Sequence, residues 1–373
     1  METAFATFNM FTPPTLLALL VTLAVIPIFR RLGPKLGLVD HPGGRKRHSS
    51  AIPLIGGPSI IFSLICVCWF FGIPDGYMGL SLGLIAMFVL SLMDDRFDLS
   101  AKWRFPTQAI IVTSALTIDN IWLTHLGAFN GEIISLGMFS YPITVIAILG
   151  ITNAINMLDG LDGLASGIVL VILFFLLGFA ANANSDVQFA TSALLGAVFG
   201  FWLYNYRFPW RAKASVFLGD SGTTILGFAL PYLALRLAIN DATASFPIPM
   251  LLWLFSLPLW DIIAVVIKRV RKGNSPFLAG RDHIHHVLLS KGFSVRQTVL
   301  FIYGAATFPL ALGSSLTLFG FNNLELYLAF LLAMTTYLFR IFHSEPSIPA
   351  EIIPLVDSEE NRHRIQSYLK KAE

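Results

Sequence analysis

Long apolar runs recur along the chain, and short polar segments separate them. A transmembrane α-helix needs about 20 consecutive apolar residues, whereas transmembrane β-strands appear as alternating segments of about 10 residues. The runs match the first pattern and predict an all-α, polytopic integral membrane protein with about eleven transmembrane helices. The predicted spans are 11–29, 54–73, 77–93, 106–124, 138–155, 162–181, 187–206, 216–236, 246–267, 297–319 and 324–342.

Composition supports this prediction and excludes other classes of protein. Of the 373 residues, 55% are hydrophobic and only 13% are charged, whereas about 25% of the residues of a soluble domain are charged. So few charges cannot cover the surface of a soluble enzyme, and they exclude a disordered chain as well. The net charge of +3 is too small to indicate a nucleic-acid partner.

Lysine and arginine lie almost entirely in alternate loops, which predicts the orientation of the chain. The basic segments are 30–53, 94–104, 207–215 and 268–296, together with the tail from Arg340. They hold 24 of the 25 basic residues. Because basic loops prefer the cytoplasmic side, we expect the N-terminus outside and the C-terminus in the cytoplasm. One transmembrane domain (1–342) with cytoplasmic active-site loops and a short cytoplasmic tail (343–373) are predicted.

The dense polar motifs all fall on the predicted cytoplasmic side. They are MDDRFD with Asp94, Asp95 and Asp98; NAINMLDGLDG with Asn153, Asn156, Asp159 and Asp162; FLGDSGTT with Asp220; and GRDHIHH with Arg281, His283, His285 and His286. Ionisable residues at membrane level indicate function. Carboxylates that converge on one face repel one another unless a cation lies among them, and oxygen ligands suit Mg²⁺ or Mn²⁺. Since Mg²⁺ commonly binds substrate phosphates as well, the motifs indicate a phosphate-bearing substrate.

The acidic motifs also have ordinary structural interpretations. Asp94 and Asp95 could simply end a helix, although acids at a helix C-terminus oppose its dipole. The Asp-Gly pairs that begin at Asp159 could form a turn. Against this, spacing by three places Asn153, Asn156 and Asp159 on one helical face. The segment at Asp220 could bind phosphate at a helix start or could only cap the helix.

Three other features leave alternatives open. The histidine cluster could bind zinc, but it has no nearby cysteine and no four-ligand spacing, so contact with phosphate is favoured. The basic run at 45–48, with Lys46 and Arg47, lies where an anionic lipid headgroup would be, although orientation alone explains it equally well. Asp261, inside the ninth predicted span, could pair with a basic residue near the inner face or support the site, and the second interpretation is favoured. Arg236, on the outer side, is interpreted as having no functional role.

In combination, the motifs DDRFD, NAINMLDGLDGL, FLGDSGT and RDHIHH resemble those of the polyprenyl-phosphate N-acetylhexosamine-1-phosphate transferases. The resemblance runs from about residue 30 to residue 296. The segment SPFLAGRDHIHH (275–286) and the segment RKRH…IPLIGG (45–57) resemble the branch of the family that uses undecaprenyl phosphate and N-acetylglucosamine. The related phospho-N-acetylmuramoyl-pentapeptide transferases have a GTPTMGG-like segment where this chain has AIPLIGG, which argues against the pentapeptide substrate.

The resemblance implies that UDP-N-acetylglucosamine and undecaprenyl phosphate react to give undecaprenyl-diphospho-N-acetylglucosamine and UMP. It also implies Mg²⁺ as cofactor, with Mn²⁺ as an alternative, and a place in the bacterial inner membrane at the start of cell-surface polysaccharide synthesis. The alternatives are another UDP-N-acetylhexosamine, UDP-N-acetylmuramoyl-pentapeptide or, more remotely, a transporter of nucleotide sugars or lipid-linked sugars. A homodimer stays open.

The resemblance further assigns roles to residues. Asp94, Asp95, Asp159 and Asp162 would be catalytic, and Asp220 and Asp95 would bind the metal. The predicted substrate-binding residues are Asn153, Asn156, Arg281, His283, His285, His286, Lys46 and Arg47.

Overall fold

The computed structural model of the chain describes residues 12–40, 51–97, 99–183, 185–240, 246–275, 280 and 282–343. Most of these residues are helical. The α-helices are α1 (Pro13–Leu32), α2 (Gly56–Phe71), α3 (Met78–Phe97), α4 (Ala101–Asp119), α5 (Ser140–Leu158), α6 (Leu164–Ala183), α7 (Ser185–Asn205), α8 (Gly219–Asn240), α9 (Met250–Leu254), α10 (Ser256–Arg271), α11 (Ile284–Ser290), α12 (Val295–Leu318) and α13 (Asn323–Phe342).

Two small antiparallel hairpins depart from the all-α prediction. The strands are β1 (Val39–Asp40) with β2 (Ile52–Pro53), and β3 (His125–Phe129) with β4 (Glu132–Ser135). Both hairpins lie outside the apolar runs, so the pattern of helical spans does not predict them. The second turns at Asn130 and Gly131, which both have positive φ. An Asn-Gly pair is a strong hairpin signal, and it was present in the sequence.

Helices overlap all the segments that were predicted to cross the membrane. In the part of the chain that the structure describes, eight helices are long and apolar enough to do so. The chain is therefore a polytopic membrane protein. The ninth predicted span is interrupted at Phe255, which separates α9 from α10. Pro142 does not break α5, because it lies in the first helical turn, where no N–H group is needed.

Helix α8 lies at the centre of the bundle. It packs against α2, α3, α5, α6 and α7. In the apolar stretch of α8, 89% of the residues are buried. The corresponding share in α13, which lies at the rim, is 17%. Because α8 begins at Gly219, the residues around Asp220 open the most enclosed helix and face the ends of its neighbours.

A buried ionic cluster joins the helices at the end of the bundle opposite to the acidic motifs. Asp119, at the end of α4, accepts hydrogen bonds from two backbone N–H groups at the start of α3 (2.7 and 3.1 Å) and from the hydroxyl of Tyr232. The Arg236 Nη1 lies 3.8 Å from the same carboxylate. Its guanidinium also lies 4.0 Å from the ring centroid of Tyr77. Arg236, to which the sequence assigned no role, therefore balances a buried carboxylate.

We expect Asp119→Ala to lower the free energy of unfolding by about 3–5 kcal/mol, because Arg236 would remain buried without its partner. Thermal unfolding in detergent measures the effect. Asp75→Ala, which removes an exposed acid on the same side, serves as control and should change stability by less than about 0.5 kcal/mol. Equal melting temperatures for the two variants would contradict this assignment.

Candidate active site

The carboxylate of Asp95 connects the end of α3 to the beginning of α8. Its Oδ1 accepts the backbone N–H of Asp220 at 2.7 Å, and its Oδ2 accepts that of Ser221 at 3.0 Å. These donors have no partner within their own helix, so Asp95 caps α8 from another helix. The preceding Gly219 has φ +73°, and a Cβ there would lie 3.0 Å from Asp95 Oδ2.

Asp220 is held from a second side by Asn156, near the end of α5. The Asn156 Nδ2 donates to Asp220 Oδ1 and to Thr223 Oγ1, both at 2.8 Å. The sequence predicted that Asn156 binds substrate, and the structure places it against the predicted metal ligand. Asn156 and Asp95 together fix the position of Asp220. Asn156 binds the side chain of Asp220, and Asp95 binds its backbone N–H.

Asp159 follows the last residue of α5 and lies near the other acids. Burial within the surrounding protein and, to a lesser extent, the nearby carboxylates of Asp220, Asp162 and Asp95 together raise the pKa of Asp159 to about 7. The structure thus brings together four of the acids that the sequence singled out. Negative charge accumulates around Asp159, which is an arrangement that a divalent cation would relieve.

The donor set of this cluster fits a hard divalent cation. Asp159 and Asp220 supply carboxylate oxygens, which Mg²⁺ and Mn²⁺ prefer. Over the described residues, no three His, Cys, Asp or Glu side chains form a complete metal site. Mg²⁺ commonly takes one or two carboxylates and completes its shell with substrate phosphates and water. Asp95, also predicted to bind the metal, uses both oxygens to cap α8.

Asp162 anchors the loop that contains Asp159. Its Oδ2 accepts the Arg207 Nε at 2.7 Å and the backbone N–H of Ala214 at 2.9 Å. Arg207 appeared in the sequence only as part of a basic loop, and nothing in the local pattern pointed to this ion pair. The contacts of Asp162 are those of a residue that fixes a loop, and its catalytic role stays a prediction.

Asp94 and Asn153 point elsewhere. Asp94 Oδ2 lies 2.6 Å from Arg104 Nη1, and its Oδ1 accepts the backbone N–H of Leu99. These contacts connect α3 to α4. The Asn153 Nδ2 donates to the Leu149 carbonyl within its own helix. The structure therefore does not bring these two side chains into contact with Asp220, and their predicted roles stay predictions.

The histidine cluster lies beside the loop that contains Asp159. The ring of His285 lies against Gly160, where an added Cβ would overlap the imidazole Nε2. The rings of His285 and His286 have centroids 4.1 Å apart. His283 contacts Asp261 through its Nδ1 at 2.8 Å. The cluster thus borders the loop of Asp159, and its contact with substrate phosphates stays a prediction. Gly160 was overlooked because an Asp-Gly pair by itself indicates only a turn.

The first residues of α2 lie beside the segment before α8. Gly56 and Gly57 donate their N–H groups to the carbonyls of Phe217 (3.0 Å) and Leu218 (3.1 Å). A Cβ on Gly57 would lie 2.6 Å from the backbone nitrogen of Gly222. The two glycines therefore allow α2 to touch the backbone at the start of α8. The remaining predicted residues, Arg281, Lys46, Arg47 and Asp98, lie outside the described residues.

Comparison with known proteins shows the family of the chain. Residues 77–238, which include the acids from Asp94 to Asp220, match the sequence model of glycosyl transferase family 4. The chain is 36% identical over 307 residues to the undecaprenyl-phosphate alpha-N-acetylglucosaminyl 1-phosphate transferase of Salmonella typhi, with 79% of this chain and 80% of that protein aligned.

Two further relatives bear the same name. The protein of Escherichia coli (strain K12) is 33% identical over 296 residues, which cover 76% of this chain and 78% of the relative. The protein of Haemophilus influenzae is 33% identical over 336 residues, which cover 88% of this chain and 93% of the relative. The resemblance inferred from the motifs is confirmed, and the chain belongs to glycosyl transferase family 4 as a membrane-bound polyprenyl-phosphate N-acetylhexosamine-1-phosphate transferase.

Proposed function

We propose that this enzyme transfers N-acetylglucosamine-1-phosphate from UDP-N-acetylglucosamine to undecaprenyl phosphate, giving undecaprenyl-diphospho-N-acetylglucosamine and UMP. The observation that carries the proposal is the convergence of Asp95, Asp159 and Asp220 at the start of α8. Relatives that align over about 80% of their own length are named for this reaction. The product would begin a cell-surface polysaccharide such as O-antigen, common antigen or a teichoic-acid linkage.

The proposed topology has eleven spans, with the N-terminus outside and the C-terminus in the cytoplasm of a bacterium. It counts α9 and α10 as one interrupted span and includes α2 and α4. The basic loops support it, because they would all face the cytoplasm. The site acids lie at the same end of the bundle as these loops, so the active site would face the cytoplasm at the inner membrane.

Asp220 and Asp159 would hold the Mg²⁺ ion, or Mn²⁺ in its place. When bound, the cation offsets the repulsion between the two phosphate groups and stabilises the departing UMP. Asn156 orients the Asp220 carboxylate, and Asp95 fixes the backbone that carries it. His283, His285, His286 and Arg281 would contact the phosphates of the nucleotide sugar, and Lys46 and Arg47 would contact the lipid phosphate.

The proposed chemistry is direct in-line attack. An oxygen of the lipid phosphate bonds to the β-phosphorus, and the bond from that phosphorus to the bridging oxygen breaks and leaves UMP. A phosphomonoester has a second pKa near 6, so it is largely dianionic at pH 7 and needs little deprotonation. Asp94 or Asp95 would orient it or remove a residual proton. The competing route is a covalent aspartyl-phosphosugar intermediate. Exchange of labelled UMP into UDP-sugar by lipid-free enzyme would exclude direct attack.

The proposal is tested by UMP release from the purified protein in detergent. We expect release only when UDP-N-acetylglucosamine, undecaprenyl phosphate and Mg²⁺ are all present, because each supplies an essential reacting or charge-balancing group. Omission of each component in turn provides the controls, and a panel of UDP-sugars distinguishes N-acetylglucosamine from other N-acetylhexosamines and from the muramoyl-pentapeptide donor. Folded protein that released no UMP from any donor would exclude the proposed function.

Transport of nucleotide sugars or lipid-linked sugars is the second candidate. Secondary transporters bind substrate near the membrane midplane and are often built from internal repeats. Here the acids gather at helix ends instead, in the turns at Asp95, Asp159 and Asp220. This placement favours chemistry at one membrane face over passage between the two faces.

A further inference from the structure

A single buried carboxylate organises the histidine cluster. Asp261, in α10, is 2% exposed, and His283 is 6% exposed. The Asp261 Oδ2 lies 2.8 Å from the His283 Nδ1, and the Oδ1 accepts the backbone N–H of Ile284 at 2.9 Å. Asp261 therefore holds both the ring of His283 and the first residue of α11.

This contact determines which nitrogen of His283 carries the proton. An ionised carboxylate can only accept hydrogen bonds, so the imidazole nitrogen that faces it must be the protonated one. The proton lies on Nδ1, and Nε2 is the ring nitrogen directed away from Asp261. A carboxylate behind a functional histidine commonly fixes tautomer and ring orientation in this way.

Contacts lead from this pair to the loop of Asp159. The rings of His283 and His285 lie nearly parallel, with centroids 5.8 Å apart and an interplanar angle of 10°. The His285 ring in turn lies against Gly160, the neighbour of Asp159. A shift of His283 would therefore be transmitted through His285 to the acidic part of the site.

The last helix supports the pair from behind, although it carries no sequence motif. The side chain of Tyr337, in α13, lies near the Asp261 carboxylate. The ring of Tyr337 lies 5.6 Å from that of Trp260, the residue before Asp261. Phe330, two helical turns before Tyr337 in α13, also packs on Trp260. The membrane-facing rim of the bundle thus has a packed connection to the histidine cluster.

We propose that Asp261 is a positioning residue of the transferase, which fixes the Nδ1–H tautomer of His283 and holds the histidine cluster over the Asp159 loop. It touches no substrate itself and acts through His283. The inference rests on the proposed function, because it takes the histidines to contact the phosphates of the nucleotide sugar.

Asp261→Asn tests the proposal. The asparagine carbonyl can still accept the Ile284 N–H, but its amide group then faces His283 as a donor and favours the other tautomer. We expect kcat for UMP release to fall about 10- to 100-fold, as for other supporting carboxylates, with little change in melting temperature. Asp261→Asn combined with His283→Gln should be no slower than the slower single variant, since both changes interrupt the same contact.

Asp119→Asn is the matched control, because Asp119 is another buried acid that binds two backbone N–H groups and one side chain. It should lower the melting temperature and leave kcat per folded molecule unchanged. An Asp261→Asn variant with wild-type kcat would overturn the proposal. So would a variant that unfolds, or one that loses only stability as Asp119→Asn does, since either would make the role of Asp261 merely structural.

A second measurement does not depend on the reaction. In protein with ¹⁵N-labelled histidine, the signal that His283→Gln removes should show a proton on Nδ1, and Asp261→Asn should move that proton to Nε2. A neutral His283 ring in the unmutated protein with its proton on Nε2 and none on Nδ1 would overturn the proposal even if UMP release is normal. The Nδ1–H signal in protein that releases no UMP would instead contradict the proposed function and leave the assigned positioning contact in place.

Discussion

Asp220→Asn should reduce kcat for UMP release by about 100- to 1,000-fold, the range expected when a preorganised electrostatic group is removed from an active site. Asparagine keeps the size of the side chain, and the backbone N–H at residue 220 can still donate to Asp95. What the variant loses is the negative charge beside Asp159. A carboxylate next to a second carboxylate attracts a divalent cation much more strongly than an amide does.

Measurement of cation binding distinguishes the loss of this negative charge from misfolding as the cause of a lower kcat. We expect saturating Mg²⁺ with UMP to raise the melting temperature of the unmutated enzyme, because a ligand at about 100 times its Kd stabilises the folded state by about 2.7 kcal/mol. Asp220→Asn should fold but lack this increase. The exposed Asp75→Asn, at the end of the bundle opposite to the site, is the matched control and should keep both kcat and the increase. Full turnover by Asp220→Asn would exclude Asp220 as a metal ligand.

Gly57→Ala should inactivate the enzyme and destabilise it, although the change adds only one methyl group. The new Cβ would lie 2.6 Å from the nitrogen of Gly222 and 2.7 Å from the carbonyl carbon of Ser221. These atoms belong to the backbone of α8, which cannot move aside as a flexible side chain does. Overpacking of this kind costs about 1–3 kcal/mol or more, and relief would displace the turn that carries Asp220.

Gly150→Ala is the control for this prediction. Gly150 also lies within a helix, α5, but a Cβ there would have no atom within 4 Å. Alanine favours a helix interior by about 1 kcal/mol over glycine, so this variant should be as stable as the unmutated protein or more so, with unchanged kcat. Thermal unfolding and UMP release measure both. If Gly57→Ala matched Gly150→Ala in the two assays, the close approach of α2 to α8 would be wrong.

The candidate active site was predictable where its chemistry depends on short motifs that are continuous in sequence. The acids at Asp95, Asp159 and Asp220 stood out because charge is rare in an apolar chain, and the structure brings them together. The partner that each acid contacts was not predictable. Nothing in DDRFD indicates that Asp95 binds the backbone of α8 while the adjacent Asp94 pairs with Arg104. Neighbouring side chains on a helix point about 100° apart, so packing alone decides which partner each one meets.

The sequence by itself determined the membrane class, the approximate position of the helical segments and the family. Those properties depend on local composition, on the length of apolar runs and on motifs that are continuous along the chain. The tertiary structure decided which helix is central, why Gly57 must be glycine, and that Arg236 and Arg207 neutralise Asp119 and Asp162. These features join residues that are distant in sequence, and their energies arise only when folding removes the groups from water and brings them into contact.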